Sequence, residues 1–216
     1  HPTLGTAWVL GQERRLAPPA DLILEAGVGL LRVRLEADGA TFQAARQPEF
    51  EKIDIPGLEL ADLLGLSEAD LGAVPPVLAS LGLAFALVEL RGLDAMARAR
   101  LTRPLDDRVF ERWPALKDVY LYCRQTVSKQ VQLHTRMFAP WAGVAEDPAT
   151  GSAASALAAW LAHQQAGDGE FEWAIEQGLE MGRPSRIQTR VVKTAGRLDV
   201  FVSGQVVAFS QGTLQI

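Results

Sequence analysis

The feature that most constrains the fold is a short segment that occurs twice in the chain. Residues 2–7 read P-T-L-G-T-A and residues 148–153 read P-A-T-G-S-A, so Pro, Gly and Ala coincide and a hydroxyl residue precedes each Ala. Each copy leads into small and apolar residues, and Pro suits the first turn of a helix because its fixed φ matches the helix. The second helix is almost wholly apolar and should be buried on most sides. Because strand and turn patterns follow both helices, we predict an α+β fold of two pseudo-symmetric halves, each a curled, mostly antiparallel sheet around a central helix.

The boundaries of the halves and strands come from alternation and from turn residues. Residues 30–36 alternate apolar and charged side chains, as in a strand with one solvated face, and the D-G pair that follows is a strong hairpin signal. An I-P-G segment predicts a division into residues 1–54 and residues 55–216. The C-terminal region predicts an antiparallel meander whose last strand covers residues 206–209.

Composition excludes several classes of partner. The net charge is −5 and the 21 Lys and Arg residues are scattered, so nucleic-acid binding is not expected. Apolar runs are shorter than the ~18 residues that a membrane-spanning helix needs. The single cysteine, Cys123, excludes an internal disulfide framework and fits a reducing compartment. We therefore predict a cytoplasmic protein with neither nucleic-acid nor membrane partners.

The two predicted helix N-termini form a candidate site for a small anion. The first N–H groups of a helix lack intrahelical partners, and the helix dipole adds about half a positive charge there. Carboxylates and phosphates bind readily at such positions. In each copy a glycine lets a ligand approach the backbone, and the following hydroxyl adds a donor. We predict that a small carboxylate-bearing substrate binds between the halves, in contact with Gly5, Thr6, Gly151 and Ser152.

The residue before each repeated Pro could take part in proton chemistry. It is His1 in the first copy and Asp147 in the second, so an imidazole and a carboxylate would lie on either side of a cleft. N-capping is the alternative role for Asp147, because Asp before a helix often accepts hydrogen bonds from its free N–H groups. Capping does not require a matching Gly-hydroxyl-Ala triplet in both halves, so the repeat favours the catalytic interpretation. For Glu146, solvated compensation of the helix dipole is the favoured role.

Three other reactive side chains are assigned structural roles. His134 lies in an alternating strand and is expected to be half-buried, and His163 lies near a helix end, where a positive charge is favourable. Neither histidine has another metal-binding residue at the sequence spacing that is typical of metal ligands. Cys123, in V-Y-L-Y-C, is expected to be a core thiol rather than a nucleophile.

Several of these segments resemble one known family. The opening HPTLGTAWVL is similar to the G-H-P-x-L-G-T-A segment of the PhzF family, the phenazine-biosynthesis isomerase-like proteins with the diaminopimelate epimerase fold. Residues 136–161, RMFAPWAGVAEDPATGSAASALAAWL, are similar to the second signature of that family, and this match is highly specific. Residues 177–187, QGLEMGRPSRI, resemble its C-terminal portion. The resemblance covers essentially the whole chain and implies two halves with the active site between them.

The resemblance also implies roles for single residues. His1 and Asp147 match the cleft His and Asp of the family, and Gly151 and Ser152 match its substrate-contacting pair. The characterised isomerase moves a proton between carbons of a cyclohexadiene acid with an N-terminal Glu, without a metal or organic cofactor. Related epimerases use two cysteines, which the motif positions here do not carry. The resemblance therefore implies a cofactor-independent PhzF-like isomerase that acts on a small carboxylate.

One part of the family pattern is not in this sequence. The Glu belongs to a segment upstream of the His motif, and the sequence starts at His1. The first half is thus expected to be incomplete at its N-terminus, with exposed sheet edges that would invite pairing with a second copy, so a homodimer is expected. A noncatalytic small-anion-binding or scaffold protein without this Glu stays open as the alternative function.

Overall fold

In the computed structural model, which describes residues 2–27, 29–102, 107–210 and 212, one large sheet carries most of the chain. The helices are α1 (Pro2–Glu13), α2 (Gly57–Leu63), α3 (Leu93–Arg98), α4 (Asp107–Arg112) and α5 (Gly151–His163). The strands are β1 (Ala20–Ala26), β2 (Gly29–Leu35), β3 (Gly39–Gln43), β4 (Glu49–Lys52), β5 (Val77–Ser80), β6 (Ala84–Glu89), β7 (Val119–Cys123), β8 (Leu133–Ala139), β9 (Val144–Asp147), β10 (Gly169–Gln177), β11 (Ser185–Thr194) and β12 (Arg197–Gln205). None of the described helices is long and apolar enough to cross a lipid bilayer.

The strands form a single open sheet. Their order is β1-β2-β3-β12-β11-β10-β8-β7-β6-β5-β4, and β9 pairs with β8. Most neighbours are antiparallel, whereas β8 and β10 are parallel, as are β6 and β7. The antiparallel pairing of β3 with β12 places Phe42 opposite Val202 and joins the first strands of the chain to the C-terminal meander. The sheet curls around the helices without closing, which confirms the predicted α+β architecture of curled sheets around helices.

Helix α5 is the central helix of the larger part of the sheet, as its apolar sequence predicted. Every residue from 153 to 159 is buried, and the helix contacts β5, β6, β10, β11 and β12. Its many alanines let these strands approach closely, while Leu157 fills the core beside Tyr120 and Ile175. Complete burial of one leucine side chain contributes about 1.5–3 kcal/mol. This packing fixes the N-terminus of α5 relative to the sheet.

Helix α1 packs on β2 and β3. Leu4 and Ala7 are buried against Val33 and Leu35. Gly11 allows a close approach, because a Cβ atom there would overlap with Leu35 Cδ1. Glycine inside a helix lowers helix stability by about 1 kcal/mol relative to alanine. The close contact with Leu35 explains why glycine occupies this position. Helix α1 thus buries one side in the described structure, whereas α5 is enclosed.

The prediction of a strand at residues 206–209 is wrong. The chain leaves the sheet after β12, the Val206 N–H donates to Asp38 O at 3.0 Å, and Phe209 is fully exposed. The physical reason is that β12 already pairs with β11 on one edge and with β3 on the other, so neither edge is free for the next strand of a meander. Strands β4, β5 and β9 were not predicted, because four residues are too few for alternation to be distinguished from a loop.

The division into residues 1–54 and residues 55–216 stays a prediction. Strand β4 precedes this boundary and pairs with β5, which follows it. Strand β3 likewise pairs with β12. The sheet is therefore continuous across the predicted boundary.

Candidate active site

The N-termini of α1 and α5 border two adjoining cavities, which together we call the cleft. The larger cavity, of about 670 Å³, is lined by residues of both helices, among them Gly5 and Gly151. The smaller cavity, of about 330 Å³, also takes residues from both segments. Its lining includes Pro2, Thr3, Asp147, Gly151 and Ser152. The fold thus brings the two copies of the repeated segment to one cleft, although they are far apart in sequence.

Two predicted site residues are not placed in the cleft. Thr6 is exposed and lines neither cavity, because it stands on the face of α1 away from Leu4 and Ala7. His1 lies outside the described residues. The prediction that His1 and Asp147 face each other across the cleft therefore stays a prediction.

The N-terminus of α5 is open to a ligand. Thr150 is the residue before the helix, and its side chain makes no capping hydrogen bond to a helix N–H. Across residues 2–27, 29–102 and 107–210, no side chain accepts a hydrogen bond from the N–H groups of Gly151 or Ser152. A Cβ atom on Gly151 would meet Val202 Cγ1 at 3.6 Å and Phe42 Cε1 at 3.9 Å. The glycine is thus not required by packing, since these are ordinary contacts, and its bare backbone faces the cleft.

Asp147 ends β9 and is half-buried beside the α5 N-terminus. Its Oδ2 accepts a hydrogen bond of 2.6 Å from the Thr150 hydroxyl. Within the described part of the chain, its carboxylate accepts no hydrogen bond from a helix N–H, so capping is not the role of this side chain. Asp147 Oδ1 has no hydrogen-bond partner among the described residues. One carboxylate oxygen is therefore oriented by the protein, and the other is available to a ligand in the smaller cavity.

Gln177 at the end of β10 fixes this geometry. Its amide nitrogen donates to Asp147 O at 2.6 Å and to Thr150 Oγ1 at 3.0 Å. Its Oε1 accepts from the Thr150 N–H at 3.3 Å and from the Tyr120 hydroxyl at 3.1 Å. Because Gln177 donates to Thr150 Oγ1, the Thr150 hydroxyl proton is left to bond Asp147. No local sequence pattern assigns this role to Gln177, although Gln177 opens the segment QGLEMGRPSRI that resembles the PhzF family.

The predicted solvated role of Glu146 is wrong. Its carboxylate forms a two-pronged ion pair with Arg136, from Nε to Oε1 at 2.8 Å and from Nη2 to Oε2 at 2.9 Å. The two side chains are only 15% and 8% exposed. Arg136 Nη1 also donates to the carbonyls of Met96 and Ala99 at 2.7 and 2.8 Å, at the C-terminal end of α3. Glu146 was mistaken for a dipole-compensating charge because Arg136 is its partner only through the pairing of β8 with β9.

The prediction of a half-buried His134 is also wrong. The residue is only 1% exposed, with Nδ1 2.8 Å from Glu176 Oε1 and Nε2 2.8 Å from Glu180 Oε1. Burial by itself would lower the pKa of His134, but the hydrogen bonds to Glu180 and Glu176 outweigh it and raise the pKa. The parallel register of β8 with β10 pairs His134 with Glu176, which no local sequence pattern reveals.

The two other structural assignments are confirmed. Cys123 is completely buried, and burial raises the pKa of its thiol to about 11, so the thiol is protonated at neutral pH. His163 is in the last turn of α5. Across residues 2–27, 29–102, 107–210 and 212, no three or more His, Cys, Asp and Glu side chains are grouped as metal ligands would be.

Comparison with known proteins gives the family. The family model described as phenazine biosynthesis-like protein, PhzC-PhzF, matches residues 1–212. The chain belongs to this family. A PhzF-family phenazine biosynthesis protein of Bacillus anthracis has the same fold, with a TM-score of 0.85 and 27% identity over 95% of this chain and 72% of that chain.

Curated relatives within the PhzC-PhzF family carry isomerase names. Trans-2,3-dihydro-3-hydroxyanthranilate isomerase of Pseudomonas aeruginosa is 36% identical over 98% of this chain and 72% of its own length. An uncharacterized isomerase of Mesorhizobium japonicum is 34% identical over all of this chain and 75% of its own length. The chain is accordingly an isomerase of the PhzC-PhzF family.

Proposed function

We propose that this isomerase moves a proton between carbon atoms of a small carboxylate substrate that binds in the cleft. The observation that carries the proposal is the meeting of the α1 and α5 N-termini at shared cavities. A helix N-terminus offers N–H groups without intrahelical partners and a partial positive charge to an anion. The name of the Pseudomonas aeruginosa relative, which specifies a cyclic amino acid, supports a ring carboxylate of similar size.

Asp147 is the residue that we propose for proton handling in the described part of the cleft. It is the only Asp or Glu of the described residues that lines the smaller cavity. Its Oδ2 is oriented by Thr150, so Oδ1 can accept a proton from one substrate position and return it, or orient the substrate for another base. The isomerisation is balanced because the proton removed at one carbon is replaced by a proton delivered to another. The reaction as proposed needs neither a metal nor an organic cofactor.

Deuterium incorporation tests this function directly. The full protein is incubated in deuterated water with trans-2,3-dihydro-3-hydroxyanthranilate and with a panel of cyclic and amino acids. We expect one of them to gain deuterium at carbon as it isomerises. Thermal stabilisation by these acids without deuterium incorporation would contradict the proposal and would support the noncatalytic binding protein.

The bare backbone of Gly151 should matter to ligand binding and not to folding. We expect Gly151→Ala to leave the melting temperature unchanged or slightly raised, because the new methyl group meets Val202 and Phe42 at ordinary distances and Ala favours helices. The same methyl group should block the approach of a carboxylate to the helix N–H groups. The loss of a hydrogen bond to a charged group, about 1.5–3 kcal/mol, corresponds to about tenfold weaker binding or more.

Calorimetric titration with 2-aminobenzoate, an aromatic analogue, checks this expectation. Ser152→Ala serves as the milder variant, because it removes one hydroxyl donor and should weaken binding by only ~0.5–1.5 kcal/mol. Wild-type affinity in Gly151→Ala would show that the anion does not approach the α5 backbone.

A further inference from the structure

The buried His134 lies between two carboxylates on the face of the sheet opposite to α5. The titratable and charged groups that face it are Glu176 of β10, Glu180 of the following turn, Cys123 of β7 and Arg136 two residues along β8. Cys123 is a neutral thiol, and Arg136 is already paired with Glu146. The charge of His134 is therefore balanced by the two glutamates.

Both ring nitrogens of His134 must act as donors. Each lies 2.8 Å from a carboxylate oxygen, and an ionised carboxylate can only accept hydrogen bonds. A neutral imidazole has a single N–H, so it can satisfy only one of the two glutamates. Glu176 has other donors, because it accepts from the N–H groups of Val127 and Ser128 at 2.6 and 3.0 Å. These donors hold Glu176 in place and its side chain is only 6% exposed, so it cannot turn away from the ring, whereas Glu180, at 18% exposed, can turn towards solvent. The neutral ring therefore keeps its one N–H for Glu176, and the contact that deprotonation removes is the one with Glu180.

Glu180 belongs to a turn that packs against the cleft. Residue 178 lies so close to the backbone of Pro148 that a Cβ atom on Gly178 would be 2.8 Å from Pro148 O. The turn is closed by the Arg183 N–H, which donates to Gly178 O at 2.9 Å. The residue before the turn, Gln177, holds Asp147 O and Thr150 Oγ1. One short segment, residues 176–183, therefore connects the buried His134 to the side chains around Asp147.

We propose that His134 is a positioning residue, which holds residues 177–183 against Asp147 and Pro148 through Glu180 and releases them when it loses its proton. The inference rests on the proposed function, because it places the effect on the geometry of Asp147. The N–H groups at the start of α5, which would bind the carboxylate, are held mainly by the packing of α5 in the core. The expected effect is therefore on kcat rather than on KM.

The pH dependence follows from the contacts of His134. The hydrogen bonds to the two glutamates overcome burial and raise the pKa of His134 above its ordinary value. A group whose pKa is raised in the folded protein keeps its favourable contacts at low pH and loses them as the pH rises through the raised value. The segment should therefore be ordered at pH values below the raised pKa of His134 and loosen as the pH rises through it.

Variants of Glu180 test the inference without replacing the buried His134. Glu180→Gln can accept from the charged ring through Oε1 or donate to the neutral ring through Nε2, so it keeps the contact at every pH. Glu180→Ala removes it at every pH. Glu170→Ala is the matched control, because Glu170 is exposed at the far end of β10 and, among the described residues, forms an ion pair only with Arg190. Displacement of a catalytic group by about 1 Å can lower turnover by about 10²-fold.

We expect kcat of the wild-type protein to fall by about tenfold or more on the alkaline side, and the fall to be absent in Glu180→Gln. Glu180→Ala should have a low kcat at all pH values with a nearly unchanged KM, and Glu170→Ala should match the wild type. A wild-type kcat in Glu180→Ala, a wild-type kcat that stays level into the alkaline range, or the same alkaline fall in Glu180→Gln would overturn the inference.

Amide hydrogen exchange of residues 177–183 gives a readout that does not depend on turnover. After correction for the intrinsic effect of pH, protection of these amides should fall with rising pH in the wild type and not in Glu180→Gln. Protection that does not change with pH in the wild type would overturn the inference. A wild-type protein that turns over no acid would instead contradict the proposed function, while this exchange measurement would still decide the role of His134.

Discussion

Replacing Asp147 with Asn is expected to lower turnover by about 100-fold or more and to leave the melting temperature almost unchanged. Asn has the same size, and its Oδ1 can accept the 2.6 Å hydrogen bond from Thr150. The hydrogen bonds of Gln177 to Asp147 O and Thr150 do not involve the carboxylate, so they persist. What the amide cannot do is take up a proton. Steady-state kinetics and thermal unfolding of the same preparation measure the two quantities.

An aspartate outside the cleft provides the matched control for Asp147→Asn. Asp168 is exposed and accepts a hydrogen bond of 2.9 Å from the Ala195 N–H in a turn. Asp168→Asn makes the same chemical change and should leave turnover at the wild-type level. An Asp147→Asn protein with native stability and undiminished turnover would show that Asp147 only orients Thr150.

The largest loss of stability is expected for Glu146→Ala. This change leaves the guanidinium of Arg136 buried, 8% exposed, without its carboxylate. Removing one partner of a buried ion pair costs about 3–5 kcal/mol, because the remaining charge is neither solvated nor balanced. For a chain of this size that loss corresponds to a melting temperature lower by about 6–20 °C. Urea denaturation measures the free energy of unfolding.

Two further variants show whether the loss of stability is specific to the buried ion pair. Asp94→Ala removes one acid of the exposed pair with Arg98, at 2.9 Å, and should cost less than about 1 kcal/mol. The double change Arg136→Met with Glu146→Leu removes both buried charges and should recover much of the loss. If Glu146→Ala is no more destabilising than Asp94→Ala, the pair does not support the fold as described.

The sequence predicts best those features that a single segment contains. The apolar stretch of α5, its Pro and Gly at the start and the match with the start of α1 are all local patterns. These patterns predict a buried helix, a second helix with a similar start, and a cleft at the N-termini of the two helices. The strand at residues 206–209 fails for the opposite reason. Its pattern is adequate, but both edges of β12, the strand beside which it would lie, are already occupied.

Partners chosen by the sheet order cannot be predicted from such local patterns. His134 meets Glu176 because β8 runs parallel to β10, and Glu180 reaches it from the next turn. Arg136 meets Glu146 across β8 and β9. These pairs are buried charges that the chain tolerates only because each partner is supplied by another strand or turn. One sequence signal could have indicated these buried pairs. It is an Arg or His at a strand position where the alternation predicts a buried side chain, because such a residue needs an acidic partner.

We propose that one small carboxylate binds between the N-termini of α1 and α5. The most direct measurement is the titration of isotopically labelled protein with 2-aminobenzoate, monitored by the amide resonances of Gly5, Gly151 and Ser152, with Gly196 in a remote turn as reference. We expect the resonances of Gly5, Gly151 and Ser152 to shift together with one dissociation constant and the resonance of Gly196 to stay unchanged. Uncharged 2-aminobenzamide should cause no such shift. Shifts at only one helix N-terminus, or equal shifts with 2-aminobenzamide, would contradict this binding site.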